Sequence, residues 1–103
     1  MESPRWRTFE EFWPHYLREH RHPLSRRLHF IGTSLSLLIL ILSLITGFWW
    51  GLPAAVVSGY AFAWVGHFFI EKNRPATFTH PWWSLRGDFK MWFLILRGKL
   101  PPG

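Results

Sequence analysis

The sequence predicts an all-α membrane protein, a two-span transmembrane helical hairpin with flanking interfacial helices. Three observations carry that expectation. No Asp, Glu, Lys or Arg stands between Arg27 and Glu71. That uncharged run is interrupted near its middle by Gly47, Gly51 and Pro53, which together read as a turn. The basic residues avoid the run and flank it, as they do around membrane spans. At 103 residues the chain is a single domain. Cysteine is absent, so disulfides, thiolate metal sites and iron–sulfur clusters are excluded. Aromatics make up 19% of the chain, eight of them tryptophan, and such rings suit a bilayer interface. A net charge of +6 invites a nucleic-acid reading. The placement of the charges sets that reading aside, and a lipid bilayer is the expected partner.

Residues 8–29 form the first flanking segment. Thr8-Phe9-Glu10-Glu11 fits a capping box, with Thr8 at the N-cap and Glu11 three residues on. Phe9, Phe12, Trp13, Tyr16 and Leu17 then line one helical face. Pro14 should kink this helix or move its start to about Trp13. The face either packs on the rest of the protein or lies toward lipid. His20-Arg21-His22-Pro23 breaks the helix.

Span 1 is expected at 30–50 and span 2 at 52–72. Twenty-one residues rise about 31 Å, enough for the hydrocarbon core. Phe48, Trp49 and Trp50 supply an aromatic belt at the turn. Arg5, Arg7, Arg18, Arg21, Arg26 and Arg27 precede the hairpin; Lys72, Arg74, Arg86, Lys90, Arg97 and Lys99 follow it. The turn has no basic residue, so both termini are expected on the cytoplasmic side. The last segment, 78–97, is apolar but interrupted by Arg86, Asp88 and Lys90. It reads as an interfacial or partly sunk helix.

The chemistry concentrates where span 2 ends, at Gly66-His67-Phe68-Phe69-Ile70-Glu71-Lys72-Asn73-Arg74-Pro75-Ala76. His67 and Glu71 are four apart, roughly 40° around a helix, and an imidazole and a carboxylate so placed can share a cation or a proton. With the turn near residue 50, His29 lies about 31 Å before it and His67 about 26 Å after it along the helices. Both imidazoles therefore reach one membrane level. His20 and His80, on the two flanking segments, can join them; His15 falls outside the pattern. Histidine clusters with an optional carboxylate suit iron, zinc, copper or nickel. The plainer reading is that these rings meet lipid headgroups or backbone carbonyls, and spacing alone also allows a bis-histidine haem.

These same residues carry a resemblance. His20-x-x-Pro23-x5-His29, within Tyr16 to Gly32, and Gly66-His67-x3-Glu71-Lys72-x-Arg74-Pro75-Ala76 resemble the paired motifs of the 2-hydroxy fatty acid dioxygenase family of phytosphingosine breakdown. The resemblance covers most of 16–97. It implies an Fe(II)-dependent, non-haem dioxygenase that shortens 2-hydroxy fatty acids by one carbon with O2. It also implies His20, His29 and His67 as iron ligands, with Glu71 as a matching catalytic-site residue. The better-known members have asparagine where this chain has His22, Ser25 and His80, and they carry an additional membrane stretch. His80 is thus a ligand that geometry allows and the family pattern does not require.

A 2-hydroxy acid chelates iron through its carboxylate and hydroxyl oxygens, and an interfacial site lets its tail remain among apolar side chains. Arg26, Arg27 and Arg74, with Lys72 and Arg86, are candidates to attract the carboxylate. Each has the plainer role of snorkelling to lipid phosphate. The rival to an oxygenase is a non-catalytic membrane scaffold or lipid-binding module. A hairpin this small leaves a four-ligand site exposed, which points to a homodimer or to flanking helices folded over the site.

Overall fold

The computed structural model describes residues 6–100. Met1–Arg5 and Pro101–Gly103 lie outside the described residues, and with them Arg5 of the charge count. The described chain is all-helical: α1 (Phe9–Arg18), α2 (Pro23–Thr46), α3 (Gly51–Val65) running into a π-helical turn (Gly66–Glu71), a 3-10 turn (Ala76–Phe78) and α4 (Pro81–Leu96).

Thr8 caps α1 as expected, its Oγ1 accepting Glu11 N–H at 3.2 Å. The box is not closed, because Glu11 Oε1 takes the N–H of Arg7 at 3.4 Å rather than that of Thr8. This cap starts the helix at Phe9 and leaves Pro14 inside it. The aromatic face of α1 turns into the protein. Phe9, Phe12 and Tyr16 are buried against Met91 and Ile95 of α4, each large side chain contributing about 1.5–3 kcal/mol of burial. Close approach is possible because α4 carries Gly87 there. A Cβ at that position would stand 2.9 Å from the Tyr16 ring.

Helix α2 starts seven residues before the expected span. His22 is its N-cap, with Nδ1 accepting Leu24 N–H at 3.1 Å, and Pro23 occupies the first turn, where its missing N–H costs nothing. His29 therefore sits within a continuous helix of 24 residues. The helix ends on Gly47 in the left-handed conformation, φ 72°. The second long helical stretch, Gly51–Glu71, has 21 residues. Both stretches are long and apolar enough to cross a membrane, with mean hydropathy 2.3 and 1.3. Leu38, Ile41, Leu44, Ile45, Val56 and Val57 are exposed on the hairpin, an apolar surface that lipid accommodates and water does not.

Helix α4 does more than lie across the end of the hairpin. Trp92 Nε1–H donates to Ser34 Oγ at 2.9 Å, and the Trp92 ring stacks on Phe30 at 6.2 Å. It therefore runs beside α2 past the first residue of the expected span. Helices α1 and α4 together cover the end of the hairpin that carries His29 and His67.

Candidate metal centre

Two local breaks and one continuous helix deliver the three histidines. His20 follows the C-cap of α1, where the last carbonyls lack helical partners; its ring folds back and Nδ1 meets Tyr16 O at 2.7 Å. His29 lies within α2, and its Nδ1 meets Ser25 O, one turn earlier, at 3.0 Å. His67 is in the π-helical turn, a wider geometry that recurs at functional sites. Its Nδ1 meets Asn73 Oδ1 at 2.7 Å. The turn ends on Lys72 at φ 58°, with Asn73 N–H donating to His67 O at 2.9 Å. Gly66 allows this segment to close on α2, since a Cβ there would meet Ser25 Oγ at 2.9 Å.

The consequence is a common orientation. Each Nδ1 faces an oxygen that can only accept, so each Nδ1 carries the proton and each Nε2 carries a lone pair. The ligand atoms of His20, His29 and His67 lie within 4.8 Å of one another. The rings are nearly perpendicular in pairs: His20–His29 at 86°, His20–His67 at 80° and His29–His67 at 86°. His20 Nε2 and His29 Nε2 stand 3.1 Å apart. Two lone pairs so close repel unless a cation lies between them. The spacing is close to the ~3 Å between nitrogens held at right angles about 2.1 Å from one ion. All three residues are buried, at 1, 4 and 2% exposure. Burial, with His29 and His67 close by, holds the His20 imidazole well below the usual histidine range, so it is neutral and ready to ligate. The donor set therefore fits a divalent metal of borderline softness. Ring centroids 4.4 to 5.2 Å apart leave no gap for a porphyrin between any two of them.

His80, expected in the ligand set, is elsewhere. At the N-cap of α4 it stacks on Trp83 at 5.6 Å and packs on Phe12 at 5.3 Å, with Nδ1 2.9 Å from Thr79 Oγ1. The aromatic docking of α1 on α4 holds it away from the three histidines. Glu71 also differs from its expected partner. Its Oε2 accepts the backbone N–H of His22 at 2.8 Å, and Asn73 takes the place beside His67 Nδ1. Arg26 Nε–H donates to His20 O at 2.6 Å, Arg74 lies over the Phe78 ring at 5.7 Å, and Arg27 is exposed. His15 pairs with Glu19 at 3.3 Å. Of the two ways to cover the site, a homodimer or folded-over flanking helices, the second suffices within one chain, where the three histidines are buried.

Sequence reasoning missed Asn73, Tyr16 and Asp88. Asn73 was an unassigned position in the motif, six residues beyond His67 and outside α-helical periodicity. Besides holding His67 it donates Nδ2–H to Glu19 O at 3.1 Å, tying the π turn to the end of α1. Tyr16 was assigned only to the apolar face. Its ring stacks on His20, centroids 4.0 Å apart, and its O–H donates to Asp88 Oδ1. Burial raises the Asp88 carboxyl to about 7, against the lowering effect of the Tyr16 hydrogen bond. Asp88 and His29 both line a cavity of about 320 Å³ that continues past Thr33, Ser36 and Gly59 to Leu40 and Leu52 between α2 and α3.

A family model described as 2-hydroxy-palmitic acid dioxygenase Mpo1-like matches residues 6–100. No curated protein and no solved structure is matched by the chain.

Proposed function

This chain belongs to the Mpo1-like family, and we propose that it is an Fe(II)-dependent dioxygenase performing α-oxidation of long-chain 2-hydroxy fatty acids in a bilayer. The observation that carries this reading is the convergence of three imidazole Nε2 atoms at the end of an apolar cavity, His29 belonging to both. In this reading His20, His29 and His67 hold the metal. When bound, iron supplies the activation of O2 beside an electron-rich 2-hydroxy acid. The overall reaction balances as R–CH(OH)–COOH + O2 → R–COOH + CO2 + H2O. All four electrons come from the substrate, so no further reductant is needed.

The chain's own residues bind, orient and exclude water. The cavity wall of Leu40, Leu52, Ala55, Val56 and Ala63 takes the acyl chain, whose burial is favourable by about 0.8 kcal/mol per methylene. In this reading Arg26, whose Nε–H donates to the carbonyl of His20, attracts the carboxylate to the histidine end, and Arg27 and Arg74 draw it to the surface. Glu71 acts through the backbone, pinning the start of α2 to the end of the π turn. Helices α1 and α4 keep water from the three histidines.

The test is purification of the full chain in lipid nanodiscs, metal analysis, and incubation with 2-hydroxyhexadecanoate under O2. Near-stoichiometric iron, with pentadecanoate and CO2 formed in step with O2 consumed, is the expected result. A chain that takes up no metal, or that holds iron and turns over no 2-hydroxy acid, would instead be a lipid-binding module.

A further inference from the structure

The cavity that begins at His29 contains a carboxyl group that the metal centre does not use. Asp88 lies on α4 between Leu85 and Phe89, and all three line the cavity. Its Oδ1 accepts the hydrogen bond of Tyr16. A carboxyl in an apolar wall is costly. The Tyr16 bond does not explain it, because phenylalanine at 16 with leucine at 88 would bury the same space with no polar group to satisfy. The ring of Tyr16, whose O–H meets Asp88, stacks on His20. The Tyr16 carbonyl also holds His20 Nδ1. One residue therefore touches both groups: the ring and carbonyl of Tyr16 meet the His20 imidazole, and its O–H meets the Asp88 carboxyl, which lines the cavity together with His29.

We propose that Asp88 is the specificity residue of the site, hydrogen-bonding the 2-hydroxyl group of the substrate and so distinguishing 2-hydroxy fatty acids from plain ones. This rests on the dioxygenase reading above. With the acyl chain in the cavity and the carboxylate toward the histidines, carbon 2 is the first carbon beyond the carboxylate, at the level where the cavity meets Asp88 and His29. A plain fatty acid fills the cavity equally well and leaves the Asp88 carboxyl without its partner. Sites built to pair a substrate hydroxyl reject analogues that lack it far more strongly than apolar pockets reject a change of size. Tyr16 is a positioning residue: its O–H fixes the carboxyl rotamer and itself touches no substrate.

The experiment compares binding of 2-hydroxyhexadecanoate and hexadecanoate to the iron-loaded full chain in nanodiscs, read by tryptophan fluorescence, alongside metal content and the kcat and KM for the hydroxy acid. The wild type is expected to favour the hydroxy acid by about 10- to 100-fold, the range for one buried hydrogen bond lost with its partner left unpaired. Asp88→Ala should lower that ratio by about 10-fold, leaving only the preference that iron chelation of the hydroxyl supplies, and should keep hexadecanoate binding and the iron. Asp88→Asn retains a hydrogen-bonding group and should fall between. Tyr16→Phe should weaken discrimination several-fold, mainly in KM. If Asp88→Ala fails to fold, Asp88→Leu fills the space without the carboxyl and is read in the same way. A variant lacking the carboxyl that discriminates as the wild type does overturns the role of Asp88. A wild type that favours the hydroxy acid but never turns it over sinks the dioxygenase reading and leaves the hydroxyl recognition standing.

Discussion

The side-chain oxygen of Asn73 lies 2.7 Å from Nδ1 of His67 while its amide nitrogen donates to the Glu19 carbonyl at 3.1 Å. One amide thus orients the third histidine and ties it to the segment that delivers the first. Groups that hold the far nitrogen of a ligating imidazole are typically worth 10- to 100-fold in metal affinity. Asn73→Ala should lower iron affinity by about that factor, read by competition with a chelator of known strength. Asn73→Asp keeps the acceptor and loses the Glu19 tie, so it should lose less. Unchanged affinity in Asn73→Ala would mean that the π turn alone fixes the His67 ring.

The three converging histidines should behave unlike His15 and His80. His20→Ala, His29→Ala and His67→Ala should each strip most of the metal. His80→Ala, which disturbs the packing between α1 and α4, and His15→Ala, which removes contacts to Trp6, Phe12 and Glu19, should retain it. Metal content with a helicity measurement decides the matter. Metal loss in His80→Ala with helicity intact would return His80 to the ligand set.

Glu71 separates two roles by one substitution. Its carboxylate accepts a backbone N–H from His22, a bond that a glutamine oxygen also accepts. Glu71→Gln should therefore keep nearly full iron and activity within a few-fold, whereas Glu71→Ala, which frees the start of α2, should lose about 10-fold or more in metal affinity. Iron lost from Glu71→Gln as completely as from His67→Ala would make the carboxylate a ligand.

Asp88 should leave a pH signature in stability. Its carboxyl is raised from 3.8 to about 7 in the folded protein, chiefly by burial. Between those values the folded state holds a proton that the unfolded state has released, so stability falls as pH rises through the window and is fully reduced above about 7. Other groups cancel when the wild type is compared with Asp88→Asn. The Tm of the wild type relative to that variant should drop between pH 5 and pH 8. A constant difference would show that Asp88 titrates as an exposed carboxyl.

Topology is open to cysteine labelling at exposed positions. Gly51 is unsuitable, because a side chain there would collide with Ser43; Trp50 is exposed. Cysteines replacing Arg7 and Lys99 should label from the cytoplasmic side, and one replacing Trp50 from the other. Labelling of Arg7 and Lys99 from opposite faces would require α4 to cross the bilayer.

Sequence by itself determined the hairpin, the cap at Thr8, the break before Pro23 and the common level of His29 and His67. Each follows from hydrophobic period, helix-end chemistry or rise per residue, which are properties of neighbours along the chain. The shared level of His29 and His67 was legible because two antiparallel helices of similar length bring fixed positions together whatever their side chains do; the same reasoning admitted His80 as readily as His20, and only the family resemblance set His20 apart. Tertiary structure alone decided which atoms hold those rings. Asn73 reaches His67 because a π turn adds a residue to the helical repeat. Glu71 leaves His67 because the N-cap of α2 offers it an unpaired N–H from 49 residues away in sequence. Asp88 enters the cavity because Gly87 lets α4 close on Tyr16. Partners of that kind are chosen by which helix faces meet, and periodicity within one helix carries no information about the face across from it.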